Sequence, residues 1–69
     1  MAKKEIVLNE TEILLLKLLK NGIYARHAGK NLGLNEYQTY KTTKSIKTKL
    51  NARNLANATY IAFNKGFIK

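Results

Sequence analysis

Hydrophobic residues recur at helical spacing in four segments of the chain, and polar turns separate these segments. The segments cover residues 10–20, 24–32, 36–50 and about 55–65. Their inward-facing stripes are Leu15-Leu16-Leu19, Ala25-Ala28-Leu32, Thr39-Thr43-Ile46-Leu50 and Leu55-Ala58-Thr59-Ala62. This pattern predicts one all-α domain over residues 8–69, preceded by a short N-terminal arm over residues 1–7.

Local signals mark the ends of these helices. Asn9 with Glu12, and Asn35 with Gln38, have the N-cap and N3 spacing of a capping box. Gly33 suits the positive φ of a tight turn between the second and third helices. Because two helices joined by a short glycine-containing turn form a helix–turn–helix, we expect this motif at the centre of the chain.

The composition disfavours several classes of function. The chain has no Cys, so it has neither a disulfide framework nor a thiolate metal site. His27 is the only histidine and has no second ligand to support a metal site, and four carboxylates are too few for most acid–base sites. We therefore expect no enzyme, no metal and no cofactor. The longest apolar run, Ile13–Leu16, is too short to span a bilayer and no signal peptide is apparent, so we expect a soluble intracellular domain.

The charge is distributed unevenly along the 69 residues. Lys and Arg number 13 against 4 Asp and Glu, which gives a formal net charge of +9. All the acids lie at or before Glu36, and seven cations follow it without one compensating acid. This asymmetry favours a polyanionic partner at the C-terminal half, although a solvated lysine-rich surface would have the same composition.

The outward positions of the third helix carry aromatic, basic and hydroxyl side chains. They are Tyr37, Tyr40, Lys41, Lys44, Lys47 and Thr48. A helix that exposes Lys, Tyr and Thr, without acids beyond its cap, is of the kind that enters the major groove of DNA. The spacing, and not only the charge, therefore favours DNA as the polyanion.

The residues from Leu8 to Ile68 resemble the LuxR-type (GerE/FixJ-like) DNA-binding domain. The residues that match the family pattern keep its spacing, without a gap, over about nine-tenths of the chain. The matching framework consists of Leu8, Glu12, Leu16, Leu19, Gly22, Leu32, Ile46, Lys49, Leu50 and Gly66. Thr11, Leu14 and Thr42 stand where the family has Arg, Glu and His. The resemblance implies an all-α, four-helix helix–turn–helix domain of LuxR/GerE type.

The same resemblance implies a free-standing, sequence-specific transcription regulator that binds double-stranded DNA with the third helix in the major groove. It implies a homodimer on paired half-sites and a cytoplasmic, nucleoid-associated location in a bacterium or phage. The expected base contacts are Tyr37, Tyr40, Lys41, Lys44, Ser45 and Thr48. The expected phosphate contacts are Arg26, Gln38, Lys47 and Lys49. The expected dimer contacts are Tyr60, Ile61 and Asn64.

Two other functions stay open at this point. The same fold could serve as an interaction protein that binds RNA polymerase or another regulator, with Leu14 and the fourth helix as the contact surface. Alternatively, the chain could be a membrane-active cationic helical peptide, which the interrupted apolar stripes and the lack of Trp disfavour.

Overall fold

Four α-helices make up the regular structure of residues 6–69, which are the residues that this computed structural model describes. Helix α1 comprises Glu10–Lys20, α2 Ala25–Asn31, α3 Glu36–Leu50 and α4 Leu55–Asn64. The predicted four-helix, all-α architecture is confirmed, and the predicted helix ends agree to within one residue. Of the predicted N-terminal arm, residues 1–5 lie outside the described residues.

Both predicted capping boxes are present. At the start of α1, the Glu12 backbone N–H donates to Asn9 Oδ1 and the Asn9 N–H donates to Glu12 Oε1, each at 2.8 Å. At the start of α3, the Gln38 N–H donates to Asn35 Oδ1 at 2.7 Å and the Asn35 N–H donates to Gln38 Oε1 at 3.0 Å. Two of the N–H groups left without helical partners at each start are thereby satisfied.

The core lies where the inward stripes of the four helices meet. Leu15 and Leu16 of α1 and Ile46 of α3 are completely buried, and burial of each contributes roughly 1.5–3 kcal/mol. The buried hydrophobic residues of α2 and α4 are alanines, namely Ala28, Ala58 and Ala62. Helices α1 and α3 each contact the other three helices, so α3 is held by α1, α2 and α4 together.

Two of the four inward positions of α3 are threonines, and both are buried as the spacing predicts. Thr39 Oγ1 donates to the Asn35 carbonyl and Thr43 Oγ1 donates to the Tyr40 carbonyl, each at 2.9 Å. Because these hydroxyls bond within their own helix, they can be buried without an unsatisfied polar group. In the described part of the chain, every buried side-chain nitrogen or oxygen has a hydrogen-bond partner.

Two glycines shape the junction between α2 and α3. Gly29 of α2 is packed against Thr39 of α3, and a Cβ at position 29 would lie 2.8 Å from Thr39 Cγ2. Gly33 has a φ of +78°, as predicted for the turn, in the left-handed region that favours glycine. The close approach and the tight turn together set the arrangement of the two central helices.

None of the helices formed by residues 6–69 combines the length and the apolar character that crossing a membrane requires.

Candidate nucleic-acid interface

A shallow groove along the outer side of α3 brings together all six residues that the sequence predicts as base contacts. They are Tyr37, Tyr40, Lys41, Lys44, Ser45 and Thr48, and Lys49 lines the same groove. Five of the seven are exposed and make no side-chain hydrogen bond with residues 6–69. We call these five residues (Tyr37, Tyr40, Lys41, Lys44 and Thr48) the α3 face.

The α3 face is cationic. Lys41 and Lys44 are exposed, and no carboxylate of residues 6–69 lines the groove. The only ion pair within residues 6–69 joins Lys49 to Glu12, so both ammonium groups of the α3 face are available to an external anion. The Lys41 ammonium lies 5.4 Å from the centre of the Tyr37 ring, within the range of a cation–π interaction.

Ser45 and Lys49 differ from the α3 face because both donate hydrogen bonds to Glu12 of α1. Ser45 Oγ donates to Glu12 Oε2 and Lys49 Nζ donates to Glu12 Oε1, each at 2.7 Å. Glu12 is only 1% exposed, so its carboxylate is an internal bridge between α1 and α3. The polar atoms of Ser45 and Lys49, which we expected to contact a base and a phosphate, are therefore engaged inside the protein.

The bonds to Glu12 also set its charge state. Burial by itself raises the pKa of Glu12, because desolvation penalises the charged carboxylate. The hydrogen bonds from Lys49, Ser45 and the Asn9 backbone, with the positive charge of Lys49, outweigh burial and hold the pKa below its ordinary value of 4.5. Glu12 is thus ionised at neutral pH. The sequence identifies it as a capping residue and as one of the matching framework residues, but does not predict its bonds to α3.

The predicted phosphate contacts are spread more widely. Arg26 is exposed on α2 and lines a second groove, between α2 and α3, together with Lys30, Tyr40 and the acidic Glu36. Because Tyr40 lines both grooves, these two cations flank the α3 face. The sequence predicts no phosphate contact at Lys30. This lysine lies four residues after Arg26, a spacing that places both side chains on the same side of the helix. Lys47 is half-buried, and Gln38 Oε1 accepts a hydrogen bond within the α3 capping box.

The predicted dimer contacts on α4 are only partly on the surface. Tyr60 is 63% exposed and Asn64 is exposed, whereas Ile61 is half-buried and packs against the core. Phe63 is exposed on the same helix, and Leu14 is the exposed apolar residue of α1. These exposed side chains are available for contact with a protein partner, as are those of Val7 and Tyr24.

The residues 6–69 hold no group of three or more His, Cys, Asp and Glu side chains that could bind a metal ion, and His27 is exposed on α2. The α3 face instead presents ammonium groups, aromatic rings and the hydroxyl of Thr48. Such groups can bind a partner molecule and distinguish it from others through charge, aromatic contacts and hydrogen bonds.

No protein-family model and no curated protein sequence matches the chain. The resemblance to LuxR-type domains therefore depends on the framework residues and their spacing alone.

Proposed function

We propose that this protein is a sequence-specific transcription regulator that binds double-stranded DNA with α3 in the major groove. The α3 face carries the proposal, because its five exposed side chains combine cations with aromatic rings in a groove that no carboxylate of residues 6–69 lines. The major groove of B-DNA is about 12 Å wide, which matches the diameter of about 10–12 Å of an α-helix with its side chains.

Each group of residues has a distinct part in this proposal. Lys44 donates to base edges such as guanine O6 and N7, and Lys41 lies beside it. Arg26 and Lys30 bind the phosphates along the edge of the groove, which fixes the register of the protein on the duplex without reading sequence. Glu12 is a positioning residue, since its bonds to α3 orient the helix that carries the α3 face.

The LuxR-type resemblance supports the same function and adds a dimer. A two-fold dimer binds half-sites one helical turn apart, or about 10 bp. Tyr60 and Asn64 are the proposed contacts on α4, with Ile61 beneath them contributing mainly to the core. A cytoplasmic, nucleoid-associated location belongs to the same proposal.

Titration of a labelled duplex at several salt concentrations tests the electrostatic part. If about five cations of one protomer each neutralise a phosphate, log K falls with log salt at a slope of about −4 to −5. An affinity that does not change with salt would refute the mechanism. Absence of any shift of a duplex, with capture of RNA polymerase that survives nuclease treatment, would favour the alternative of an interaction protein.

Three lysine variants test the division of roles, using a site selected from a random duplex library. Lys44→Ala should weaken the selected site about five- to tenfold more than random DNA, because it removes a base contact. Lys47→Ala should weaken both duplexes alike, because phosphate contacts carry no sequence information. Lys17→Ala is the matched control, since Lys17 is exposed on α1 and lines a groove with residues 66–69 rather than with α3.

The Lys17→Ala control distinguishes binding through the α3 face from binding that depends only on the net charge of the protein. We expect Lys17→Ala to leave both affinities close to those of the wild type. A loss as large as that of Lys44→Ala would mean that binding follows net charge alone. Equal effects of Lys44→Ala and Lys47→Ala on the two duplexes would contradict the assigned roles.

A further inference from the structure

We infer that the α3 face selects its DNA through the methyl groups of thymine, which the rings of Tyr37 and Tyr40 contact in the major groove. The inference rests on the proposed function and adds the kind of base that the protein recognises. Three observations support it: the polar side chains already engaged within the protein, the composition of α3, and the spacing of the two rings.

Several side chains of α3 that could read bases by hydrogen bonds are already engaged. Gln38 Oε1 accepts from the Asn35 N–H at 3.0 Å, and Thr42 Oγ1 donates to the Gln38 carbonyl at 2.8 Å. Ser45 Oγ donates to Glu12 at 2.7 Å. The amide oxygen and these two hydroxyls therefore serve the fold. Apart from Glu36 in the first turn, the exposed α3 side chains left to face a ligand are Tyr37, Tyr40, Lys41, Lys44 and Thr48.

The side chains of α3 that remain exposed limit which base the protein can recognise. Helix α3 contains no Arg and no Asn, whose paired hydrogen bonds commonly identify guanine and adenine. A lysine ammonium is a compact point charge that binds guanine or phosphate. Thymine is the one base that presents a methyl group in the major groove. The rings of Tyr37 and Tyr40, 67% and 60% exposed, are the large apolar surfaces that can meet it.

The spacing of the two rings fits neighbouring base pairs. Tyr37 and Tyr40 are three residues apart, which corresponds to about 4.5 Å along the helix axis. Successive base pairs are about 3.4 Å apart. The Lys41 ammonium lies over the Tyr37 ring and leaves the ring edge for contact. We therefore expect a preference for thymine at two positions that are one or two base pairs apart.

Replacement of thymine by uracil tests this inference because it removes the methyl group and keeps every base-pairing group. The probe is a duplex that the wild-type protein has selected from a random library, with each thymine replaced singly by deoxyuridine. At two positions, the replacement should weaken binding about three- to fivefold, as expected for one methyl group removed from water. The other thymines should tolerate it.

Variants of Tyr40 assign the effect to the ring. Tyr40→Ala should abolish the difference between thymine and uracil at one of the two positions, and Tyr40→Phe should retain it, because the hydroxyl is not needed for contact with a methyl group. Tyr24→Ala is the matched control, since Tyr24 is likewise exposed, at 79%, but lies just before α2 and lines a groove with residues of α4 rather than of α3. It should leave both positions unchanged.

The outcomes separate this inference from the proposed function. If the protein binds duplexes but no thymine responds to replacement, or if Tyr40→Ala responds like the wild type, the thymine inference is wrong and DNA binding stands. Loss of the effect in Tyr40→Phe would assign the contact to the hydroxyl and also overturn the inference. If the wild-type protein binds no duplex, both proposals are wrong.

Discussion

Replacement of Glu12 by Gln removes a buried charge and leaves the shape of the side chain almost unchanged. The wild-type carboxylate accepts hydrogen bonds from the Asn9 backbone, Ser45 and Lys49, and the side chain is 2% exposed. The amide keeps one acceptor oxygen, but its nitrogen donates where the carboxylate accepted. The Lys49 side chain is 36% exposed, so water replaces part of the interaction that its ammonium loses.

The size of the loss follows from these three contacts. A hydrogen bond to a charged group contributes about 1.5–3 kcal/mol and a neutral one about 0.5–1.5 kcal/mol. The partial exposure of Lys49 reduces its ion pair to about 1 kcal/mol or less. We therefore expect Glu12→Gln to lower the free energy of unfolding by about 2–3 kcal/mol. The total for 69 residues is only about 3–10 kcal/mol, so this is a large fraction.

Urea denaturation at neutral pH, followed by far-ultraviolet circular dichroism, measures this loss. Glu10→Gln is the matched control, because Glu10 is exposed in the same first turn of α1 and experiences the same helix dipole. It should lower the free energy of unfolding by about 0.5 kcal/mol or less. Equal losses in the two variants would refute the bridging role of Glu12.

Acid titration checks the charge itself. The pKa of Glu12 is lower in the folded chain than its ordinary value of 4.5, so its contribution is fully present above that value. The contribution is lost as the pH falls through the folded pKa. The difference in stability between the wild type and Glu12→Gln should therefore shrink below pH 4.5. A difference that persists in full to about pH 2 would mean that the charge is not responsible.

Two further variants test the helix–turn–helix frame by urea denaturation. Gly29→Ala should lower the free energy of unfolding by about 1–3 kcal/mol because its methyl group meets Thr39, and Thr39→Ala in the same chain should recover part of this loss. The recovery is partial because Cβ of residue 39 still lies 2.9 Å from the added methyl group, and an equal cost of Gly29→Ala with and without Thr39→Ala would contradict the close approach. Asn35→Ala should lower the free energy of unfolding by about 1 kcal/mol, since the Gln38 N–H loses its acceptor. Asn31→Ala, at the exposed end of α2, should have a clearly smaller effect, and equal losses would be evidence against the cap.

The helices and their inward faces could be predicted because their signals are local. Asn35 and Gln38 are three residues apart, and the hydrogen bonds between them form within one turn. Thr39 and Thr43 were expected inside despite their hydroxyls, since they continue the spacing of Ile46. Each hydroxyl then bonds to its own helix, which is why the spacing outweighs the polarity.

The bridge at Glu12 could not be predicted, because it joins residues far apart in the sequence. Ser45 is 33 positions from Glu12 and Lys49 is 37. The sequence predicts Lys49 as a phosphate contact, and only the packing of α1 against α3 reveals that it pairs with Glu12 instead. The clash that a side chain at Gly29 would cause is likewise visible only once α2 and α3 are packed together.

The Glu12 bridge has a consequence for how such a domain can evolve. Exposed positions without partners usually tolerate substitution within about 0.5 kcal/mol, so the five residues of the α3 face can change one at a time. Ser45 and Lys49 cannot drift in this way, because loss of either one leaves the buried Glu12 carboxylate short of a donor. New binding preferences are therefore expected to arise at the α3 face, where single mutations keep the protein above its stability threshold.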